Sequence, residues 1–184
     1  MKKLKYAFIS LISVLMLALI IGLFLPSNYQ VKESIIINTP ANVAFNEVNS
    51  LRQWVNWSPW HQRDPKIHIN YEGPESGIGC KMAWDSKDPK VGKGSQEIVV
   101  SEPNKHIQTV LKFAGWESIT NVSWDFEEQG INKTKVTWTF NGQVGRNILY
   151  KYMTLVLKPI LKKDYKKGLQ QLKKHAEQNY TKQY

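Results

Sequence analysis

The sequence predicts an α+β fold: a curved, seven-stranded antiparallel sheet covered on one face by helices and set behind an N-terminal transmembrane helix. Three observations carry this. Short runs between the turn-forming residues alternate apolar and polar side chains with a period of two, while Tyr165, Leu169, Leu172 and Ala176 recur at helical spacing near the C-terminus. The third is a stretch of 20 uncharged residues, Tyr6 to Leu25, preceded by Lys2, Lys3 and Lys5.

A helix of that length reaches about 30 Å, the thickness of a bilayer's hydrocarbon core. A cleaved secretory signal would have a shorter apolar region and a small-x-small cleavage site, whereas this run ends Gly22-Leu-Phe-Leu-Pro26-Ser27. The expectation is an uncleaved single-pass anchor in the cell membrane. The lysines before it, with only Lys32 close behind, keep the N-terminus cytoplasmic and the rest of the chain extracytoplasmic. The chain accordingly divides into residues 1–28, comprising lysines, anchor and short linker, and a single domain over residues 29–184. Cys80 is the one cysteine, so no intramolecular disulfide forms in either compartment.

The domain opens with a strand from Tyr29, in which Val31, Ile35, Ile36 and Ile37 run up to Asn38-Thr39-Pro40. Thr39 as cap and Pro40 in the first turn start a short helix with Val43, Ala44, Val48 and Leu51 on its apolar stripe. An aromatic loop over residues 54–60 follows, and then six strand-like runs. Ile78, Cys80, Met82 and Trp84 share one face of a run, Ile98 and Val100 that of another, and Ile107, Leu111 and Phe113 that of a third. Val122, Trp124 and Phe126 follow, and finally Val136, Trp138 and Phe140. Lys81, Asp85, Glu97, Lys112, Asp125 and Lys135 occupy the opposite faces, giving one wet and one covered side. Pro159 is expected to split the cover into a helix near residues 148–157 and a longer one from about 160 to 178. Gly168 inside the longer helix implies close packing or a gap beneath it.

These residues resemble a known family. Trp54-x-x-Trp57-Ser58-Pro59-Trp60, Asp64-Pro65, Gly73 to Gly79 leading to Trp84, Gly92-x-Gly94, Thr134-Lys-Val-Thr-Trp138 and Gly168-Leu169-x-x-Leu172 are similar to SRPBCC proteins. These are the START-like, polyketide cyclase/dehydrase-type, helix-grip proteins, and the chain is similar to their membrane-anchored bacterial members. The resemblance covers Tyr29 to about Gln178. It implies a seven-stranded sheet gripping the C-terminal helix, with a hydrophobic cavity between them that in many members takes lipids, sterols or polyketides.

The expected cavity residues are Trp54, Trp57, Trp60, Met82, Trp84, Phe113, Trp124, Trp138, Phe140 and Leu169. None of the inward positions assigned in strands two to seven is a carboxylate, histidine or lysine, so a proton-transferring group would have to come from a loop. His61 and Asp64 are the candidates for such a pair, against an ordinary polar loop in which Asp64-Pro65 starts a turn. The leading reading is a non-enzymatic binding protein for a lipid-like or other hydrophobic small molecule. The alternatives are a cyclase/dehydrase-like or hydrolase-like enzyme on an apolar substrate, and a tethered interaction protein with a filled core.

Other chemistries fit poorly. The glycines of residues 73–79 lead into a strand rather than the helix that a dinucleotide site needs. His61, His68, His106 and His175 lack metal-ligand spacing, and no serine has a nucleophile elbow, so neither metal nor cofactor is expected. Charge is uneven: residues 26–145 hold 12 Lys/Arg against 13 Asp/Glu, whereas residues 146–184 hold 10 against 2. On a membrane-tethered domain, Lys162, Lys163, Lys166 and Lys167 suit anionic headgroups, and an extracytoplasmic location argues against nucleic acid.

Overall fold

The chain is described from a computed structural model covering residues 2–115 and 119–183; residues 1 and 184, the outer bounds expected for the two segments, lie outside it. Helix α1 (Lys2–Phe24) is long and apolar enough to cross a membrane and stands almost wholly exposed. Strand β1 (Asn28–Ile37) follows, then α2 (Ala41–Asn49), a 3-10 segment (Leu51–Asn56) and α3 (Pro59–Arg63). Strands β2 (His68–Glu72), β3 (Lys81–Asp85), β4 (Lys93–Glu102), β5 (His106–Phe113), β6 (Thr120–Glu128) and β7 (Thr134–Gln143) lead to the 36-residue α4 (Ile148–Gln183).

All seven strands form one antiparallel sheet in the order β1-β7-β6-β5-β4-β3-β2. The first strand closes on the last, from Asn28 opposite Gln143 to Ile37 opposite Thr134. The other pairs are hairpin neighbours, and residues 73–80 form the loop between β2 and β3. Gly73, Gly77 and Gly79 supply positive φ angles there. The inner face of this sheet and one face of α4 enclose the core, with Tyr165, Leu169, Leu172 and Ala176 buried as their spacing predicts.

Several local expectations are corrected. Pro159 lies inside α4 and does not divide it. The proline costs one backbone bond, but the turns on either side are held independently, by α1 before it and by the sheet after it. Gly168 marks close packing: a Cβ there would stand 2.8 Å from Cζ3 of Trp138 and 3.2 Å from Cδ of Pro59. Thr39 does not cap α2; Pro40 holds the cap position, and the backbone carbonyl of Thr39 accepts the hydroxyl of Thr134 at 2.8 Å. Ile78 precedes β3 and is exposed. A bulge between Ile98 and Val100 shifts the register, placing Ile98 opposite buried Thr109 but Val100 opposite Gln108, so the two do not share a face.

Candidate functional site: a cavity at one end of the sheet

The space between sheet and α4 is filled at one end and open at the other. At the filled end α2 and the 3-10 segment cover β6 and β7, and Phe45 meets Phe126 edge-on at 5.4 Å. Beside them Trp124, Trp138 and Tyr165 form a continuous stack, with centroid separations of 4.1 and 3.8 Å. Trp54 and Trp57 abut the first two rings edge-on. Their indole N–H groups donate to the backbone carbonyls of Val48 (3.1 Å) and Glu47 (3.2 Å). Those carbonyls belong to the last turn of α2, where no helix partner exists, so the two tryptophans complete the helix end while packing the core.

The open end holds a cavity of about 500 Å³. Its walls come from Tyr29 on β1, Met82 and Trp84 on β3, Lys93 and Gln96 on β4, Leu111 and Phe113 on β5, Thr120 and Val122 on β6, and Trp138 and Phe140 on β7. The 89–92 loop, Trp54, Ser58, Trp60 and His61 close one side; Leu157, Ile160, Leu161, Asp164 and Tyr165 of α4 close the other. Apart from Met82 and Trp138, which lie mid-strand, most strand residues come from the end at which β1 begins and β7 finishes, the end next to α1.

Of the residues expected to line a cavity, Trp54, Trp60, Met82, Trp84, Phe113, Trp138 and Phe140 do so. Trp57, Trp124 and Leu169 do not: they are fully buried packing groups at the filled end. The expected loop of residues 54–60 is part 3-10 helix and part α3, and hydrogen bonding to α2 turns Trp57 inward while Trp54 and Trp60 reach the cavity. The parity of β4 and β6 already pointed Gln96 and Thr120 inward beside Ile98 and Val122. Leu157, Ile160 and Leu161 had no such signal, because Pro159 suggested a helix break there.

The cavity wall includes ionisable groups, none of them at an inward strand position assigned from the sequence. The strands contribute Lys93, at the very start of β4, and the helices contribute His61 and Asp164. Asp164 is buried and paired with Arg63 through two contacts, 2.8 and 3.4 Å, tying α3 to α4. On β1, Glu33 points inward to Lys162 at 3.5 Å, so that lysine is already engaged.

His61 and Asp64 do not form a pair. Asp64 accepts the hydroxyl of Ser86 at 2.5 Å and the amide of Lys66 at 3.0 Å, as a turn-starting aspartate does, and is not in the cavity wall. Both ring nitrogens of His61 are buried and have no hydrogen-bond partner. Burial lowers its pKa from the ordinary value of 6.5, so the imidazole is neutral at pH 7. Among the described residues, no group of three or more His, Cys, Asp and Glu gathers as a metal site requires.

Comparison with known proteins agrees with this architecture. The aromatase/cyclase Zhui from Streptomyces sp. R1128 superposes with a TM-score of 0.63 at 11% identity, over 83% of this chain and 96% of that one. A Staphylococcus aureus protein of unknown function gives 0.61 at 11% identity, over 84% and 98%. The di-domain aromatase/cyclase StfQ of the steffimycin pathway gives 0.60 at 12% identity over 84% of this chain, which spans about half (52%) of StfQ. A search of curated proteins finds no match. The family model described as "Polyketide cyclase / dehydrase and lipid transport" matches residues 29–177, and the chain belongs to that family.

Proposed function

We propose that this protein is a membrane-anchored binding protein for a lipid-like or other hydrophobic small molecule, held between the sheet and α4. The observation that carries the reading is the cavity itself: about 500 Å³ of unfilled space, walled mainly by aromatic and aliphatic side chains, in a fold whose other end is densely packed. That volume lies in the ordinary range for small-molecule sites, and burying an apolar ligand gains about 25 cal/mol per Å². Ser58, Gln96, Thr120 and the unpartnered imidazole of His61 suit one polar group on an otherwise apolar molecule. In this reading α1 crosses the cell membrane with its N-terminus in the cytoplasm, and residues 29–184 form the extracytoplasmic binding domain.

The test is direct. The segment from Ser27 onward, purified without detergent, is expected to release a hydrophobic molecule in native mass spectrometry and to bind a fluorescent fatty acid. A folded, empty protein unresponsive to a broad panel of apolar probes overturns the proposal.

A second reading is favoured by one observation. His61 lines the cavity with a neutral imidazole whose two sealed-off nitrogens have no partner, and a side-chain shift that exposed one of them would supply the proton acceptor that a cyclase or dehydratase acting on an apolar substrate requires. Under that reading His61→Ala abolishes turnover of an identified substrate, whereas Asp64→Ala does not; undiminished turnover by the first variant removes it.

A further inference from the structure

The packing of α4 against the sheet uses only part of its length. From Leu161 onward it contributes Tyr165, Leu169, Leu172 and Ala176 to the core. The turns before that, residues 148–160, extend about 20 Å and carry Leu149 (66% exposed), Leu155 (57%), Val156 (63%) and Ile160 (53%). Leu149, Val156 and Ile160 share one face by helical spacing and Leu155 stands beside them, an unusual density of exposed aliphatic side chains for a soluble surface.

This stretch is clamped to α1. Ile148 packs so closely on Gly22 that a Cβ there would collide with it. The ammonium of Lys151 donates to the carbonyl of Leu23 at 3.3 Å, and the hydroxyl of Tyr152 donates to the carbonyl of Ala18 at 2.6 Å. The Leu23 carbonyl lies in the last turn of α1 and has no helical donor, so Lys151, itself only 7% exposed, supplies both a donor and a positive charge at the negative end of that helix. Ala18 lies six residues before the end of α1, about 9 Å along its axis. Interfacial helices reach about 5–10 Å into a bilayer.

We infer that residues 148–160 of α4 are a second membrane-contact element, lying in the headgroup–acyl boundary of the bilayer that α1 crosses, and that the cavity opens onto that surface. The inference rests on α1 being a membrane-crossing helix. Three further observations favour the bilayer as the occupant of the patch. The contact with α1 fixes the stretch at the depth of an interfacial helix. Ile160 belongs both to the exposed patch and, with Leu157 and Leu161, to the cavity wall. The exposed Arg146 precedes the stretch and the exposed Lys158 lies within it, and both suit anionic headgroups. The ligand class then narrows to a molecule that resides in the membrane leaflet and enters the cavity without crossing water.

The test uses the full chain in vesicles of phosphatidylcholine and phosphatidylglycerol at 3:1, with single nitroxide labels on Leu149→Cys, Leu155→Cys and Val156→Cys. Leu15→Cys in α1 and Lys174→Cys on the far part of α4 are the references. Cys80 is buried, and the unmodified chain gives its background labelling. The three test positions are expected to collide with oxygen in preference to a water-soluble nickel chelate, at a ratio severalfold above that of the Lys174 label. If they read like Lys174 while Leu15 reads as lipid-embedded, the anchor stands and this inference falls. Low collision with both reagents means that a second protein copy covers the patch, which also overturns it. An aqueous reading at Leu15 removes the anchor and the inference together. In addition, Leu155→Glu combined with Val156→Glu is expected to leave the thermal midpoint unchanged and to slow extraction of a fluorescent phospholipid from the vesicles at least tenfold; an unchanged extraction rate overturns entry from the bilayer.

Discussion

The two ends of the space between sheet and α4 are built from the same strands with the same alternation, yet one is solid and the other hollow. At the solid end α2 and the 3-10 segment lie over the sheet, and their tryptophans reach into it with every indole proton of Trp54 and Trp57 satisfied by backbone. At the hollow end, among the described residues, the five-residue α3, Trp54 of the 3-10 segment, the 89–92 loop and one side of α4 lie opposite Leu111, Phe113 and Val122. Strand patterning therefore decides which side chains face inward. Whether they meet partners is decided by what the chain lays across them.

Perturbing the solid end gives the largest effect. Trp138 stacks between Trp124 and Tyr165, so Trp138→Ala is expected to cost about 3–5 kcal/mol of stability, measured by urea denaturation. A loss below about 1 kcal/mol would show that the stack contributes little and erase the distinction between the ends. Gly168→Ala comes next. The added methyl pushes on the Trp138 ring and Pro59, at an overpacking cost of about 1–3 kcal/mol that exceeds the gain in helix propensity of about 1 kcal/mol, so net destabilisation is expected.

The hollow end behaves oppositely. Leu111→Trp puts bulk into empty space and should shift stability by less than about 1.5 kcal/mol while weakening binding of a fluorescent fatty acid at least tenfold. Strong destabilisation with binding intact would mean that the space is not where ligand sits. The smallest effect is a pH dependence. Because burial holds the pKa of His61 below the ordinary 6.5, the folded protein takes up fewer protons than the unfolded chain. The stability contributed by the neutral imidazole is complete above 6.5 and declines as pH falls through the folded-state value. His61→Phe should flatten that decline in thermal midpoints recorded from neutral to mildly acidic pH.

Element types were largely legible in the sequence, because Val122, Trp124 and Phe126, or Val136, Trp138 and Phe140, can alternate so regularly only in a half-covered strand. The helical spacing of Tyr165, Leu169 and Leu172 was equally plain. Single-residue geometry was not: the bulge after Ile98 reverses Val100 without any glycine or proline to announce it. Helix α4 runs on through Pro159, and the turns before the proline are held by contacts of Lys151 and Tyr152 with α1, more than a hundred residues away in sequence. The site was half legible for a related reason. Period two identified Met82, Trp84, Phe113 and Phe140 as inward, but could not separate them from Trp124 and Leu169, which face inward and are covered. Asp164, one acidic residue on a lysine-rich helix, has its partner Arg63 far away in sequence, where no local pattern marks the pair.

Pro159 has a mechanical consequence. Because it lacks an N–H, the carbonyl of Leu155 has no helical donor, so the softest turn of α4 falls between the portion gripped by the sheet and the portion braced on α1. Thermal flexing concentrates at that joint. The sheet and the turns braced on α1 can then tilt relative to each other while the sheet's grip on the rest of the helix stays rigid.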